Sequence, residues 1–292
     1  MRVVVLGERC GWHVERLTTA LERRGHDASV VAWGELGAAV TSHGPGFLPR
    51  AIEQADVIVV RGMPGGRSPT DRLEEVIFRM DVLGRLEAAG TPVINRPRAL
   101  EIAIDKYLSL AVMAGAGVPV PHTLVVQSAD DARSACAQLG GTCVAKPLFG
   151  SRGQGIVRIA SPEEAASAGA QGVIYLQEFL DHPGWDARIL VVGSEVHAMR
   201  RIAPPGEWRT NVALGGRPEP FIAPPEWIDL ARRSAAALGA DIAGVDLIPT
   251  PQGPVVVEVN AVPGWRGLQT VCDADLAERV ASTLERAAQA GL

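Results

Sequence analysis

Strand-like apolar runs alternate with helical patterns through the first hundred residues, and this alternation limits the possible folds more than any other feature. The strand-like runs occur at residues 3–6, 29–32, 56–60 and 92–94. After the first run, Val14, Leu17 and Leu21 mark one face of a helix that stops at Gly25. Strands separated by helices pair in parallel. We therefore predict a small parallel α/β domain over residues 1–96.

The pattern changes from residue 97 onward. Residues 97–180 mix helical and strand-like runs in an α+β unit, and the chain beyond residue 181 shows mainly antiparallel strand patterns. These later strands are predicted at residues 188–192, 195–202, 241–248 and 255–260. The predicted fold class is therefore α/β and α+β, in three parts with boundaries at 1–96, 97–180 and 181–292.

Composition excludes several classes of partner. The 292 residues carry a net charge of −5 with no basic stripe, which argues against nucleic acid binding. No apolar run approaches the roughly 20 residues of a membrane span, and the first residues do not form a secretory signal. The four cysteines are scattered without a Cys-X-X-Cys pair, which is typical of reduced thiols. We expect a cytoplasmic protein with no nucleic acid or membrane partner.

Lysine is almost absent from this chain. Of its 28 basic residues, only Lys106 and Lys146 are lysines. Arginine-favouring codon usage explains the surplus of arginine, but it makes the two retained lysines notable. The compact ammonium group suits phosphate oxygens at positions where a planar guanidinium does not fit. We interpret both lysines as functional.

A glycine-rich segment joins two strand candidates shortly after Lys146. It reads Gly-Ser-Arg-Gly-Gln-Gly at residues 150–155 and lacks the Gly-Lys-Ser/Thr of a Walker loop. Glycine allows backbone N–H groups to approach phosphate oxygens closely. An ordinary hairpin loop is the alternative, and Lys146 on the preceding strand favours the phosphate-binding interpretation.

Two carboxylates face each other in a predicted hairpin near the end of the chain. Its strands are joined by Pro-Gln-Gly at residues 251–253, with the glycine in the left-handed position of a three-residue loop. This pairing sets Thr250 opposite Pro254 and therefore Asp246 opposite Glu258. Like charges directly opposed destabilise a sheet unless a cation lies between them.

The same hairpin predicts a metal site. Period-two alternation places Glu258 and Asn260 on one face of the strand and Val255, Val257 and Val259 on the other. Oxygen ligands on a rigid hairpin, with room left for phosphates, suit Mg²⁺. An arginine partner for the carboxylates is the alternative interpretation.

Polar residues also flank a Pro-Pro-Gly loop at residues 204–206. They are Arg200, Arg201, Arg209 and Asn211. Guanidinium groups bind carboxylate or phosphate oxygens through two parallel hydrogen bonds. Isolated arginines more often form a solvated face, so a functional role here depends on the predicted metal hairpin lying nearby.

Two loops of the N-terminal domain are weaker candidates. One is Cys-Gly-Trp-His at residues 10–13, and the other is Gly-Met-Pro-Gly-Gly at residues 62–66, after a strand ending in Arg61. The second loop lies where α/β domains commonly bind ligands. A plain connecting loop fits its sequence equally well.

In their order along the chain, these motifs resemble those of ATP-grasp enzymes, specifically the RimK-like α-L-glutamate ligases. The resembling stretches are Ile104-Asp-Lys106, residues 144–155, Gln177-Glu-Phe179, Asp186-Ala-Arg188, Met199-Arg-Arg201, Arg209-Thr-Asn211 with Gly215-Gly216, Gly244-Val-Asp246 and residues 258–264. They cover about residues 97–290, and the first 96 residues match only loosely. The resemblance implies an ATP-grasp fold preceded by a parallel α/β (pre-ATP-grasp) domain.

The resemblance also implies a role for each candidate residue. The residues implied to contact ATP are Lys106, Lys146, Gly150, Ser151, Arg152, Gly153, Gly155, Glu178, Phe179 and Asp186. Within this set, Glu178 and Phe179 resemble the hinge that holds adenine, largely through backbone groups. The implied ligands of Mg²⁺, with Mn²⁺ as an alternative, are Asp246, Glu258 and Asn260. Arg209 and Asn211 match residues that face the transferred phosphate and the acyl group, and Arg201 completes the predicted catalytic set.

The implied reaction is ATP-dependent ligation of a carboxylate to an amine. A substrate carboxylate attacks the γ-phosphorus of ATP, and an amine, expected to be that of L-glutamate, displaces phosphate from the acyl phosphate. The expected acceptor is a small coenzyme of the pterin type or a peptide or protein tail, and the resemblance allows a homo-oligomer. A small-molecule kinase on the same scaffold and a non-catalytic ATP sensor are the alternatives.

Overall fold

The computed structural model describes residues 1–42, 44–65, 73–148, 155–168 and 172–290. The predicted phosphate-loop residues Gly150, Ser151, Arg152 and Gly153 lie outside these ranges, as does the end of the 62–66 loop. Gly155 lies inside them and has a φ of 71°.

The N-terminal part is a parallel sheet with helices on both faces, as predicted. Its elements are β1 (Arg2–Leu6), α1 (Trp12–Arg23), β2 (Asp27–Val31), β3 (Gly37–Thr41), β4 (Gly44–Leu48), α2 (Arg50–Glu53), β5 (Val57–Val60), α3 (Leu73–Ala88) and β6 (Val93–Ile94). The parallel strands lie in the order β2-β1-β5-β6, while β3 and β4 form a separate antiparallel hairpin. The sequence patterns had not predicted this hairpin.

Burial explains why β1 and β5 are uninterrupted apolar runs. Val3 and Val5 contribute to a core that includes α1 and the last helix of the chain, whereas Val4 and Leu6 face a second core that includes α3. A parallel strand covered on both faces needs apolar side chains in both directions. The first core contains residues from both ends of the chain, so the N-terminal sheet is tightly packed against the C-terminal part.

The central part is an antiparallel sheet covered by helices. Its elements are α4 (Pro97–Ile104), α5 (Lys106–Gly115), β7 (Thr123–Val126), α6 (Ala129–Gln138), β8 (Cys143–Lys146), β9 (Val157–Ile159), α7 (Pro162–Ala168) and β10 (Ile174–Glu178). The strand order is β7-β10-β8-β9. Lys146 ends β8, and Glu178 ends the neighbouring β10.

The C-terminal part is a five-stranded antiparallel sheet in the order β13-β12-β11-β14-β15. Its elements are β11 (Trp185–Val192), β12 (Glu195–Ile202), β13 (Arg217–Pro220), α8 (Pro225–Leu238), β14 (Ile242–Thr250), β15 (Gly253–Asn260), α9 (Arg266–Gln269) and α10 (Leu276–Ala290). The predicted mixed α/β and α+β fold class is confirmed. In the described ranges, no helix has the length and apolarity that crossing a membrane requires.

The register of the β14–β15 hairpin differs from the predicted one at the turn, but Asp246 still pairs with Glu258. Thr250 pairs with Gly253 rather than with Pro254, so the turn is one residue shorter than predicted. A register shift between Asp246 and Leu247 adds one residue to β15 and restores the pairing of Asp246 with Glu258. Such a bulge sets two residues of one strand against one residue of its partner.

The bulge also changes which valines of β15 are buried. Val256 and Val259 are buried in the core, whereas Val255 and Val257 are only partly buried. The predicted placement of Val255, Val257 and Val259 together on the face opposite Glu258 is therefore wrong, because the irregularity interrupts strict alternation. Val257 instead lines the same cleft as Glu258.

Candidate active site

A cleft open to solvent, with a cavity volume of about 100 Å³, lies between the central sheet and the C-terminal sheet. Nine of the predicted site residues line it: Lys146, Glu178, Phe179, Asp186, Arg201, Arg209, Asn211, Asp246 and Glu258. The structure therefore brings most of the sequence-predicted set together around one space.

Lys106, Asn260 and Gly155 are not among the residues that line this cleft. The Lys106 amino group lies 3.5 Å from the carbonyl oxygen of Leu148. Burial lowers the pKa of Lys106, and the charge of Glu258 partly offsets this effect, which places Lys106 within electrostatic reach of the hairpin. Asn260 pairs with Gly244 at the far end of the same hairpin.

Lys146 is held by a glutamine that the sequence analysis did not assign to the site. Its Nζ donates to Oε1 of Gln177 at 2.6 Å, and Nε2 of Gln177 donates to Thr123 Oγ1 and to the Tyr175 hydroxyl at 3.0 Å. Burial lowers the pKa of Lys146 to about 8, while Glu258 acts to raise it. A fixed lysine next to an open cleft can accept an anionic ligand without reorganising.

Asp246 is bound by two arginines, the alternative that the sequence analysis left open. Arg188 donates through Nε and Nη2, the latter at 2.7 Å, and Nη2 of Arg201 lies 3.0 Å from Oδ2 of Asp246. Burial alone would raise the pKa of Asp246, but the two guanidinium groups outweigh it and the pKa is lowered. Asp246 is therefore ionised and rigidly held.

Asp186 and Arg201 form a second buried pair beside the first. Nε of Arg201 donates to Oδ1 of Asp186 at 2.7 Å, and both side chains are less than one-tenth exposed. Although burial opposes the charged form of Arg201, Asp246 and Asp186 raise its pKa above the ordinary value. Arg201 thus bridges two carboxylates, and its predicted catalytic role remains a prediction.

We expect Asp186→Asn to destabilise the protein by about 3 kcal/mol, because breaking a buried ion pair leaves a charge with less compensation. Chemical denaturation of the variant and of the wild type measures this loss. Asp130→Asn provides the matched control, since Asp130 pairs with Arg133 on the surface and its side chain is 93% exposed. An Asp186→Asn variant as stable as the wild type would contradict the structural role of the pair.

Glu258 differs from the other carboxylates of the cleft. Glu178 accepts a hydrogen bond from the backbone N–H of His122 at 2.7 Å, and Asp186 and Asp246 are bound by arginines. Within the described ranges, Glu258 accepts no hydrogen bond and faces the positive charges of Lys146 and Lys106. Its oxygens remain available to a ligand.

The hairpin donors fit a divalent cation. Asp246 accepts three hydrogen bonds, whereas a carboxylate offers about four lone-pair sites, so one position remains. Together with the available Glu258 carboxylate, this gives two oxygen donors of the kind that Mg²⁺ prefers. Asn260 does not line the cleft, and its amide stays a predicted ligand. Among the described residues, no group of three or more His, Cys, Asp or Glu side chains is placed to hold a metal, at this hairpin or elsewhere.

Aromatic residues form one end of the cleft. Phe179 follows β10, and its ring lies 5.6 Å from that of Trp208 in an edge arrangement. The Arg158 guanidinium lies 4.2 Å above the Phe179 ring. Glu178 donates its backbone N–H to the His122 carbonyl, which fixes the end of β10. Flat apolar surfaces of this kind can bind a planar ring.

Arg209 is positioned at the mouth of the cleft by its neighbour Glu207. Nη2 of Arg209 lies 2.6 Å from Oε2 of Glu207, and this hydrogen bond lowers the pKa of Glu207 to about 2. Nη1 of Arg209 also lies 3.5 Å from the carbonyl oxygen of Ile156. The predicted partners Arg209 and Asn211 therefore line the cleft together, on the loop that follows β12.

The fold is shared with solved ATP-grasp ligases. Two structures of the ATP-grasp ligase PsnB, one with a minimal precursor and one with a phosphomimetic variant of that precursor, Mg and ADP, match with TM-scores of 0.79 and 0.77. Both are 24% identical to this chain in sequence. The matches cover 98% and 99% of this chain and 99% of each solved chain.

Sequence comparison identifies the family. The model of the RimK-like ATP-grasp domain matches residues 103–284. The tetrahydromethanopterin:α-L-glutamate ligase of Methanosarcina acetivorans is 30% identical, covering 88% of this chain and 90% of that protein. A probable α-L-glutamate ligase 1 of Hahella chejuensis is 33% identical, covering 99% of this chain and 96% of that protein. The chain belongs to the RimK-like ATP-grasp family and is an ATP-grasp ligase.

Proposed function

We propose that this protein joins L-glutamate to a carboxylate substrate through an amide bond, with an acyl phosphate as the intermediate. The observation that carries the proposal is the Asp246–Glu258 pair across the hairpin, facing Lys146 within one cleft. Relatives named as α-L-glutamate ligases, which match nearly the whole chain, support glutamate as the amine.

Residues in and beside the cleft have separate roles in this reaction. Lys146 and Lys106 hold the phosphates of ATP, and the aromatic end at Phe179 receives adenine. Asp246, Glu258 and Asn260 hold Mg²⁺, for which Mn²⁺ is a substitute; the metal supplies positive charge to the transferred phosphoryl group. The substrate carboxylate is itself the nucleophile, so the chain needs no catalytic serine or cysteine.

Arg209 and Asn211 face the region where negative charge develops during the transfer. Guanidinium and amide donors fixed before the reaction stabilise such charge without reorganising. Glu207 holds this segment by accepting hydrogen bonds from the Arg209 side chain and from the backbone N–H groups of Trp208 and Arg209. This fixed arrangement supports a role for Arg209 in the transition state.

For the acceptor we propose a small coenzyme of the pterin type. A relative that is named for glutamylation of tetrahydromethanopterin supports this choice. A peptide acceptor is the second candidate, and its support is the precursor bound to the structural neighbour PsnB. PsnB is only 24% identical to this chain in sequence, so we rank the peptide second.

We place the reaction in the cytoplasm, because all four cysteines are free thiols.

A phosphate-release screen over pairs of acids and amines tests the proposed function. Pterin acids, peptides and simple carboxylates are combined with L-glutamate and other amino acids, and products are identified by mass spectrometry. We expect phosphate release only when both partners are present, with a product that has gained one glutamyl unit. ADP without free phosphate would indicate a kinase, and ATP binding without turnover in any pair would indicate a sensor.

A further inference from the structure

A buried arginine without a counter-ion lies outside the cleft described above. Arg61 directly follows β5 at the carboxyl edge of the N-terminal sheet, and only 8% of its surface is exposed. Buried arginines are normally paired with a carboxylate, because an uncompensated buried charge is costly. Among the described residues, no carboxylate pairs with Arg61.

The contacts of Arg61 leave part of its guanidinium unused. Nη2 donates to the carbonyl oxygen of Pro263 at 2.8 Å, and the guanidinium carbon lies 4.1 Å over the ring of Trp265. Nε is buried and donates to none of the described residues. Burial lowers the pKa of Arg61 to about 9, so the group is still charged at neutral pH.

A second unsatisfied donor belongs to the same cluster. Nε1 of Trp265 is buried without a hydrogen-bond partner in the described structure. The backbone N–H of Trp265 donates to Nε2 of His13 at 2.9 Å, and the two rings meet edge to face. Thus His13 of the 10–13 loop and Arg61, which directly precedes the 62–66 loop, both contact the segment that follows β15.

The cluster lies directly beside the hairpin that carries the proposed metal ligands. Pro263 is three residues beyond Asn260, and a Cβ placed on Gly244 would come within 2.9 Å of the Pro263 ring. Gly244 pairs with Asn260 across the hairpin. The Arg61 guanidinium therefore reaches the end of the active-site hairpin from the opposite domain, at the strand edge where α/β sheets bind ligands.

We propose that Arg61 binds a carboxylate group of a substrate, one that does not react, at the junction of the N-terminal domain and the β15 end. The inference rests on the proposed ligase function and adds a recognition residue to it. Guanidinium groups bind carboxylates through two parallel hydrogen bonds. A bound carboxylate supplies the negative charge that none of the described residues provides to Arg61. The carboxylate belongs either to the amino acid that supplies the amine or to the glutamyl-like end of the acid substrate.

Calorimetric titration of purified protein with two probes separates these sources. L-glutamate represents the amine substrate, and N-acetyl-L-glutamate represents an acid substrate whose amine is blocked. Each titration is run with and without Mg²⁺ and a non-hydrolysable ATP analogue, on the wild type, Arg61→Met, Arg61→Lys and the control Arg98→Met. Arg98 suits this purpose because it lies on α4 with a side chain that is 68% exposed.

We expect the wild type to bind at least one probe saturably and Arg61→Met to bind it at least tenfold more weakly. Arg61→Lys should give an intermediate affinity, and Arg98→Met the wild-type value. The probe that binds the wild type with the higher affinity identifies the source of the carboxylate. Equal affinity in Arg61→Met, or no binding of either probe to the wild type, would overturn the inference.

Thermal unfolding distinguishes ligand binding from a merely structural role. Removing an uncompensated buried charge should leave the melting temperature of ligand-free Arg61→Met unchanged or higher. If Arg61 only stabilises the contact between the two domains, Arg61→Met should have a lower melting temperature and should bind the probes with wild-type affinity. The increase in melting temperature that Mg²⁺ and the ATP analogue cause should persist in Arg61→Met. If the wild type shows no such increase, the proposed ligase function is contradicted. The probe titrations without nucleotide still test the role of Arg61 in that case.

Discussion

Replacing Glu258 with glutamine is expected to slow ADP formation about 100-fold or more while the protein stays folded. Glu258 lies opposite Asp246 and is the one carboxylate lining the described cleft that accepts no hydrogen bond. Glutamine keeps the shape of the side chain and removes its charge. Loss of one electrostatic contact to a transition state commonly costs about 3 kcal/mol, which corresponds to a factor of roughly 100 in rate.

The rate is measured with the acid and amine pair that the phosphate-release screen identifies, and melting temperatures show that the variant is folded. Glu226→Gln is the control, since Glu226 is exposed at the start of α8 and lies outside the cleft. Turnover of Glu258→Gln within a few-fold of the wild-type rate would remove Glu258 from the active site.

Replacing Lys146 with methionine is expected to weaken nucleotide binding at least tenfold. A charged hydrogen bond contributes about 1.5–3 kcal/mol, and 1.4 kcal/mol corresponds to a factor of ten in affinity. In the wild type, affinity should fall as the pH rises through about 8, where the buried amine loses its proton. Lys146→Arg keeps its charge and should show no such fall. Titration of a fluorescent ATP analogue from pH 6.5 to 9.5 measures both effects.

The same pKa predicts an opposite trend for stability. Burial lowers the pKa of Lys146 to about 8 in the folded protein, whereas the ordinary value is 10.5. Between these values the unfolded chain binds more protons, so the contribution of Lys146 to stability rises with pH. Lys146→Met should lose that rise and melt at a higher temperature than the wild type at pH 7. A lower melting temperature, with unchanged nucleotide affinity, would make Lys146 a structural residue.

The pairing of Asp246 with Glu258 was predicted correctly, although the register predicted at the turn of the hairpin was wrong. The predicted register at Thr250 was wrong by one residue, yet Asp246 still pairs with Glu258 because the bulge restores the register. Sequence spacing cannot reveal a bulge, since it depends on how the two strands twist against their neighbours. The prediction that Val257 shares a face with Val259, opposite Glu258, was wrong for the same reason.

The sequence analysis left an arginine partner open but did not identify Arg188 or Arg201, because these pairings depend on strand order. Once β11 is known to lie between β12 and β14, Asp186 falls directly opposite Arg201 and Arg188 directly opposite Asp246. Opposite charges at paired positions of neighbouring strands were the signal that could have found these contacts. The sequence placed the four residues in strands or motifs, but it did not establish which strands were neighbours.

Gln177 was missed for a different reason. It lies within a recognised motif next to Glu178, but its role appears only when β8 and β10 pair and bring its amide to Lys146. The location of Arg61 at a strand end was visible in the sequence, whereas its lack of a counter-ion required the folded structure. Local patterns thus predicted the elements and most of the candidate ligands, and tertiary contacts determined how they are held.

The binding of a divalent cation by the β14–β15 hairpin is the claim on which the proposed function depends most. A crystal structure with a non-hydrolysable ATP analogue and Mn²⁺, located by its anomalous scattering, tests it directly. We predict a metal peak bound by the phosphates and by oxygens of Asp246, Glu258 and Asn260, with Mg²⁺ in the same place at about 2.1 Å from its ligands. A nucleotide bound in the cleft with its metal away from these three side chains would contradict the account.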